Sequence, residues 1–383
     1  MSKVAFMEWT FSTAQRIRFG KDTSLALASE AQRLGDRAII VTGATPARFS
    51  SVIGLLQNTK AVSCPTEPDL NWLRHTVSEA RNFRPNVVIG LGGGSAIDGA
   101  KALAALIPNE GDPLRYLEVV GDGETLATSP LPLIAVPTTS GTGAEVTKNA
   151  VISVIESKRK VSLRDDRMLP TLALVDPSLT IGLPSQITAA TGLDALTQLI
   201  EPYLSSKANP MTDALCRDGI GRIANALPKL LKGAENYGLR EDMSIGSVFG
   251  GMALANAGLG AVHGLAGVLG GWCGAPHGAL CGRLLPSVLA VNAAAIAQHG
   301  DTGLENKFRD VARWLTGRPD LGGLTTHLQT LLDLGSVPRL KDMGLSASDF
   351  DAVAEASRLS SSMKGNPVPL NRDELIQVLH ESY

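Results

Sequence analysis

Three side chains in the second half of the chain have the types and surroundings expected of a metal site. Asp194 lies in an apolar helical segment, His263 is the sole titratable group of another, and His277 precedes Gly278 at a predicted helix start. Taken singly, each has an ordinary explanation, such as a buried histidine bonded to a carbonyl. Together, one carboxylate and two imidazoles suit Zn²⁺ or Fe²⁺ with one position left open. Gln198, one turn after Asp194, shares its helix face and is a fourth candidate.

A second group of residues suits the phosphates of a dinucleotide. Gly92, Gly93 and Gly94 follow a short apolar run rich in β-branched residues, which is typical of a buried parallel strand. We expect Ser95 to cap the next helix, with Asp98 at capping-box spacing. A glycine turn that leads into a helix presents free N–H groups to an anion. An ordinary tight turn explains the stretch equally well, and it lacks the spaced G-x-G-x-x-G pattern.

The elements that position these residues follow from the hydrophobic pattern. The pattern predicts strands at 16–20, 38–42, 87–91, 133–136, 150–155 and 171–175, with helices at 24–34 and 71–82. Alternating strands and helices predict a Rossmann-like α/β domain with a mostly parallel sheet. Beyond Leu183-Pro184 the pattern is helical almost to the end. We therefore predict an α/β domain over 1–183 and an all-α domain over 184–383, with the ligand in the cleft between them.

Composition narrows the class of protein. The 383 residues are 44% hydrophobic and 19% charged with a net charge of −2, which leaves no electrostatic footprint for nucleic acid or an anionic membrane. We see no apolar run long enough to span a bilayer, and Met1–Glu8 lacks the features of a signal peptide. The four cysteines form no C-x-x-C pair, which fits reduced thiols. These features predict a cytoplasmic protein without nucleic-acid or membrane partners.

One feature of the helical half bears on the substrate. Between Glu241 and Gly282 there is no lysine or arginine, so a pocket lined by this stretch has no cation to hold a phosphate or second carboxylate. We therefore expect a small, neutral substrate.

Several motifs occur in order and together resemble one family. They are Gly92-Gly93-Gly94-Ser95 with Asp98, Pro137-Thr138-Thr139-Ser140-Gly141-Thr142-Gly143, Asp176-Pro177, Gly192-Leu193-Asp194-Ala195, Val262-His263 and Pro276-His277-Gly278. The set resembles the iron-containing (group III) alcohol dehydrogenases, which share the dehydroquinate synthase-like fold with glycerol dehydrogenases and maleylacetate reductases. The resemblance covers nearly the whole chain and is specific as a set.

The resemblance implies roles for further residues. It implies that the stretch from Gly92 to Ser95 holds the cofactor pyrophosphate, with Thr138, Thr139 and Thr142 on its adenosine and phosphate portions. Asp98 and Gly43 are the other candidate cofactor contacts. Lys160 matches the family's basic residue near the nicotinamide ribose, although a solvated lysine in a basic run explains it equally well. Family dimers form through the N-terminal strand region, so we expect a homodimer.

The chain departs from the family pattern at three places. Gln198 stands where the family has a metal-binding histidine, and Gly267 stands where it often has a second histidine after His263. The remaining set resembles the zinc site of glycerol dehydrogenases, so Fe²⁺ and Zn²⁺ both stay open, as does a metal-free enzyme. At the end of the second strand, Thr42-Gly43 replaces an acidic residue that would repel a 2′-phosphate, and Arg48 follows. NADP is therefore at least as well suited as NAD.

The function implied is hydride transfer between NAD(P)(H) and a small alcohol/aldehyde or ketone. A divalent metal would polarise the substrate oxygen, with His263 and His277 as catalytic residues and His277 as one path for the proton. Gln198 motivates an alternative, a metal-independent reductase of the maleylacetate type. A lyase of the dehydroquinate synthase type is disfavoured, because it needs cationic residues for a phosphorylated substrate and there is no lysine or arginine between Glu241 and Gly282. A non-catalytic nucleotide-binding protein of the same fold is the third interpretation.

Overall fold

The computed structural model of the protein describes residues 8–383. The prediction made for Met1–Glu8 therefore falls almost entirely outside the described residues. The strands are β1 (Ile17–Phe19), β2 (Ala38–Thr42), β3 (Thr59–Ser63), β4 (Val87–Gly92), β5 (Leu133–Pro137), β6 (Asn149–Val154), β7 (Arg159–Arg164) and β8 (Leu172–Val175). The α-helices of the first half are α1 (Leu27–Leu34), α2 (Ser50–Ile53), α3 (Leu70–Phe83) and α4 (Gly94–Leu106). Those of the second half are α5 (Ser185–Leu204), α6 (Pro210–Leu231), α7 (Tyr237–Ala257), α8 (Ala261–Cys273), α9 (His277–His299), α10 (Thr302–Thr316), α11 (Leu321–Leu334), α12 (Phe350–Arg358) and α13 (Arg372–Ser382).

Six strands form one parallel sheet in the order β1-β8-β5-β4-β2-β3. The four inner strands are buried along their whole length, as expected of a parallel sheet covered on both faces. In β2, Ile39 and Val41 belong to one core cluster, whereas Ala38 and Ile40 belong to another. The two faces of the sheet therefore carry separate cores, and the predicted α/β fold is confirmed.

The order of the strands creates a crevice between β2 and β4. These strands are neighbours, but the chain leaves β2 towards β3 on one side and leaves β4 towards β5 on the other. Their carboxyl ends consequently frame a crevice, which is where open α/β sheets bind their ligands.

The second half of the chain is helical and has its own large core. Buried aliphatic side chains of α5 to α13 form a single hydrophobic cluster. Within residues 8–383, α9 by itself has the length and apolarity of a membrane-crossing helix, which corrects our expectation that no stretch would. However, 78% of its most apolar window is buried inside the protein, the pattern of a core helix. The split into units of 1–183 and 184–383 stays a prediction.

Three strands differ from the predicted arrangement. The strand predicted at 150–155 forms as β6, but it pairs antiparallel with β7 in a separate two-stranded sheet. Alternate residues of β6 are buried, which is typical of a strand with one covered face. Strands β3 and β7 were not predicted, because their partly exposed sequences have no strong apolar run.

Candidate active site

The glycine turn (residues 92–94) connects the end of β4 to the start of α4. The helix begins at Gly94 with Gly93 as its N-cap, so the predicted cap by Ser95 is wrong. Asp98 does not complete a capping box either: its Oδ2 accepts a hydrogen bond from Val151 N at 3.1 Å. The physical reason is that helical backbone starts two residues earlier than a Ser95 cap requires, so Ser95 lies inside the first turn. The N–H groups of that turn have no acceptor within the helix and remain free to bind an anion.

Three loops meet above the sheet at the glycine turn. A Cβ added at Gly92 would lie 3.2 Å from Gly43 N, and one added at Gly93 would lie 3.4 Å from Thr139 Oγ1. At Gly94 an added Cβ would lie 2.7 Å from Thr142 Cγ2. The turn, the end of β2 and the loop after β5 thus form a cradle that side chains at the glycines would fill. This geometry fits a pyrophosphate, which needs close approach to bare backbone.

The remaining predicted cofactor residues occupy different places. Thr138 is buried, and its N–H donates to Gly92 O at 2.9 Å, which ties the loop after β5 to the turn. Both carboxylate oxygens of Asp98 have protein partners, Val151 N and Lys101 Nζ. Asp98 therefore stabilises the protein around the turn through these contacts. Beside Gly43 an added Cβ would meet nothing within 4 Å, which leaves open space at the end of β2. Direct contact of Asp98, Thr138 and Ser95 with the cofactor stays a prediction.

The linking loop (residues 138–143) joins this cradle to the helical half. Ser140 Oγ lies 2.9 Å from Ser244 Oγ of α7. Gly143, at a φ of +58°, approaches α7 so closely that an added Cβ would lie 2.5 Å from Gly251 Cα. A single loop therefore contacts the glycine turn on one side and α7 on the other. This loop fixes the position of the cofactor cradle relative to the helical half.

The three predicted metal ligands come together in the helical half. His263 Nε2 lies 3.4 Å from Asp194 Oδ1, and His277 Nε2 lies 3.9 Å from the same oxygen. Asp194 is 2% exposed and His263 is 6% exposed. Within the described part of the chain, Asp194 Oδ1 and His263 Nε2 have no hydrogen-bond partner. Buried polar atoms without partners are costly, and a cation between them would satisfy both, so the residues present fit a divalent metal.

Glycines of α9 explain why these side chains converge. A Cβ added at Gly278 would clash with Ala190 O and lie 3.2 Å from Asp194 Cβ, and one added at Gly282 would lie 2.7 Å from Leu193 Cδ1. Bare backbone thus lets α9 cross α5 at close range. The crossing places His277, the first residue of α9, against Asp194.

Glu201 holds His263 in position and was missed in the sequence. Its Oε2 lies 2.6 Å from His263 Nδ1, and its Oε1 accepts a hydrogen bond from Val262 N at 2.7 Å. Because Nδ1 is occupied, Nε2 is the ring nitrogen left for Asp194 and a metal. The available signal was spacing: Glu201 is seven residues after Asp194 in a helix that is otherwise apolar, so it shares the same face.

Cys281 is a second residue that the sequence interpretation missed. Ligand atoms of Asp194, His263, His277 and Cys281 all lie within 4.8 Å of one another. The signal here was also spacing, since Cys281 is one turn after His277. Gln198 is buried, and its Oε1 has no hydrogen-bond partner among residues 8–383. Its role as a ligand stays a prediction.

The electrostatics of this cluster favour a cation. Burial lowers the pKa of His277, but Cys281 and Asp194 outweigh burial and raise this pKa to about 9. Burial likewise opposes protonation of His263, while Cys281, Glu201 and Asp194 raise its pKa well above the ordinary value. Burial raises the pKa of Asp194, and the two imidazoles more than offset this, leaving it below the usual value. The negative groups that favour protonated imidazoles also favour a divalent cation bound where those protons would be.

Lys160 lies between the two halves of the molecule. Its side chain is 10% exposed and pairs with Glu67 Oε2 at 2.6 Å. A Cβ added at Gly270 of α8 would lie 2.7 Å from Lys160 Nζ. Lys160 is therefore largely enclosed by protein rather than solvated. Strand β7 thus brings a cation to the helical stretch that has none of its own. Its contact with the nicotinamide ribose stays a prediction.

Comparisons with known proteins cover both halves of the chain. The sequence model of the family described as "Iron-containing alcohol dehydrogenase" matches residues 14–177, and that described as "Fe-containing alcohol dehydrogenase family, C-terminal" matches residues 188–383. The chain is 34% identical to 1,3-propanediol dehydrogenase of Klebsiella pneumoniae, over 83% of this chain and 81% of that protein. It is 32% identical to lactaldehyde reductase of Escherichia coli, over 95% of this chain and 97% of that protein.

Solved structures agree with the sequence matches. A crystal structure of 1,3-propanediol oxidoreductase superposes with a TM-score of 0.89 at 28% identity, covering 98% of this chain and 100% of that chain. A sulfoacetaldehyde reductase from Bifidobacterium kashiwanohense in complex with NAD⁺ superposes with a TM-score of 0.86 at 27% identity, covering 98% and 99%.

Proposed function

The chain belongs to the iron-containing alcohol dehydrogenase family, and from this premise we propose which of its residues carry the reaction. It is an oxidoreductase that acts on small alcohols or aldehydes. We place hydride transfer in the cleft between the glycine turn and the cluster of Asp194, His263 and His277. One observation carries this assignment: the unpartnered Asp194 Oδ1 and His263 Nε2 face each other at 3.4 Å.

The cofactor is a nicotinamide dinucleotide that binds at the carboxyl ends of β2 and β4. The free N–H groups at the start of α4 hold its pyrophosphate, and Thr139 and Thr142 border the same cradle. The sulfoacetaldehyde reductase with this fold binds NAD⁺. In this chain Thr42 and Gly43 leave open, uncharged space at the end of β2, which admits the 2′-phosphate of NADP as well as NAD.

The helical half supplies the groups that act on the substrate. When bound by Asp194, His263 and His277, a divalent metal supplies Lewis-acid polarisation of the substrate oxygen. Glu201 fixes the ring of His263 so that Nε2 faces into the cluster. His277, with 31% of its side chain exposed, is the ligand that solvent reaches, and we assign it the passage of the proton.

Kinetics of the purified enzyme and of one variant test this function. We expect oxidation of NADPH or NADH with a panel of small neutral aldehydes. His263→Ala should abolish turnover while the dissociation constant of the cofactor changes little, because the cradle lies in the other half. Full activity of His263→Ala would refute the role of the cluster. Full activity after a strong chelator has removed all detectable metal would instead support the metal-independent maleylacetate-type reductase.

We also propose a homodimer and a cytoplasmic location. Among residues 8–383, β1 pairs only with β8, so one edge of the parallel sheet is left without a neighbouring strand. An open edge is a ready template for another chain, which fits a dimer formed through the N-terminal strand region. Light scattering should give twice the mass of the chain, and cell fractionation should place the protein in the cytoplasm.

A further inference from the structure

We propose that Cys281 is a metal ligand that takes over the role left by Gln198, and that its thiolate selects zinc over iron. The inference rests on the proposed function, since it concerns the same cluster of Asp194, His263 and His277. It assigns to the enzyme a ligand set of one carboxylate, two imidazoles and one thiolate.

Two distances within the cluster match such a set. For zinc–sulfur and zinc–nitrogen bonds of about 2.3 and 2.0–2.1 Å, tetrahedral geometry separates sulfur from nitrogen by about 3.6 Å. Cys281 Sγ lies 3.6 Å from His277 Nε2. The same geometry separates nitrogen from oxygen by about 3.3 Å, and His263 Nε2 lies 3.4 Å from Asp194 Oδ1. Two of the six edges of a tetrahedron therefore already have their expected lengths, while the edge from His277 Nε2 to Asp194 Oδ1, at 3.9 Å, is longer and must shorten when a metal binds.

The helix crossing explains why the thiol faces the site. His277 and Cys281 are one turn apart on α9, so they share a face. Gly278 and Gly282 on the adjoining face bring α9 against Ala190 and Leu193 of α5. Cys281 is consequently buried completely and is a free cysteine, with its sulfur directed at the cluster.

The chemistry of the donors decides between the metals. Two imidazoles and one carboxylate alone match both non-haem Fe²⁺ and Zn²⁺ sites. A neutral glutamine amide in place of histidine adds little affinity, whereas a thiolate is a soft ligand that favours zinc. Binding displaces the thiol proton to solvent, so the bound sulfur carries a negative charge. Zinc also tolerates expansion from four to five ligands, so a fourth protein ligand leaves substrate binding feasible.

Spectroscopy of the cobalt-substituted enzyme tests the ligand directly. Metal-free protein reloaded with Co²⁺ should show a sulfur-to-cobalt charge-transfer band in the near ultraviolet. The band should disappear in Cys281→Ser and persist in Gln198→Ala and in the control Cys273→Ser, a half-buried cysteine outside the cluster. Cys281→Ser should also bind metal about 100-fold more weakly or worse, beyond the 10–100-fold effect of losing an outer-shell partner. A band that persists in Cys281→Ser, or Co²⁺ binding to the unmodified enzyme without a band, would overturn the inference.

Two measurements on the unmodified enzyme cover the case in which the variant does not fold. X-ray absorption at the zinc edge should find one sulfur at about 2.3 Å. Anaerobic reconstitution with equal Zn²⁺ and Fe²⁺ should yield mainly the zinc form, and a mainly iron form would contradict metal selection. Turnover without sulfur ligation would refute this inference alone. Sulfur ligation without turnover on any aldehyde would refute the proposed function alone.

Discussion

Replacement of Glu201 by glutamine should weaken metal binding although Glu201 touches no metal. The carboxylate uses both oxygens: Oε2 lies 2.6 Å from His263 Nδ1, and Oε1 accepts from Val262 N at 2.7 Å. A glutamine has one oxygen and one NH₂ group, so it must turn a donor towards one of these two donors. The change therefore removes one charge-assisted hydrogen bond in a buried position, a loss of about 1.5–3 kcal/mol. Loss of such an outer-shell partner typically lowers metal affinity about 10–100-fold.

Competition with a chromophoric chelator measures this effect, and Asn366→Ala is the matched control. Asn366 Oδ1 accepts from Ala261 N at 3.0 Å, so it caps the same helix start without touching His263. Both variants should unfold at lower temperature than the unmodified protein, but Glu201→Gln alone should lose metal affinity. Unchanged affinity in Glu201→Gln, or an equal loss in Asn366→Ala, would refute the view that Glu201 orients the imidazole.

Three further variants test the cradle and Glu145, a buried carboxylate just after the linking loop. Gly94→Ala places a Cβ 2.7 Å from Thr142 Cγ2, so it should weaken cofactor binding about tenfold, or about 1.4 kcal/mol. Gly221→Ala is the control, because an added Cβ there meets nothing within 4 Å, and its dissociation constant for NADPH, measured by fluorescence titration, should be unchanged. Equal affinities of the two variants for NADPH would contradict cofactor binding at the glycine turn. Burial raises the pKa of Glu145 to about 7 from 4.5. The folded state therefore binds a proton at Glu145 more tightly than the unfolded state does. This preference adds about 3 kcal/mol to the free energy of unfolding below pH 4.5, and the contribution is lost as the pH rises through 7. The free energy of unfolding by urea should be lower at pH 8 than at pH 5 in the unmodified protein, and this difference should be smaller in Glu145→Gln. An equal difference in the two proteins would contradict a raised pKa of Glu145.

The sequence predicted functional residues best where an ionisable residue stands in an otherwise apolar segment. Asp194, His263 and His277 were identifiable because each is an ionisable group in an apolar helix, and the structure brings all three together. The strand, glycine turn and helix from Val87 onward were identifiable because their pattern is local. Such features require no knowledge of how distant segments meet.

The residues that were missed depend on contacts between distant segments. Glu201 matters only because α8 begins beside it, and the sequence does not show that meeting. Cys281 matters only because glycines let α9 cross α5 closely. The cap assigned to Ser95 failed for a local reason, because the helix already begins at Gly94. Its supposed partner Asp98 bonds instead to Val151 of β6, 53 residues away, which the sequence does not show. Spacing on one helix face would have flagged Glu201 and Cys281 as candidates, but not their roles.

A crystal structure of the purified enzyme with NADPH, recorded across the absorption edges of zinc and iron, would show whether a metal joins the three side chains and where the cofactor binds. We predict an anomalous peak at bonding distance from Asp194, His263 and His277, with the pyrophosphate of the cofactor on the first amides of α4. An active enzyme with no metal peak among these three side chains, or with its pyrophosphate bound away from the glycine turn, would show that hydride transfer does not occur between this cluster and this turn.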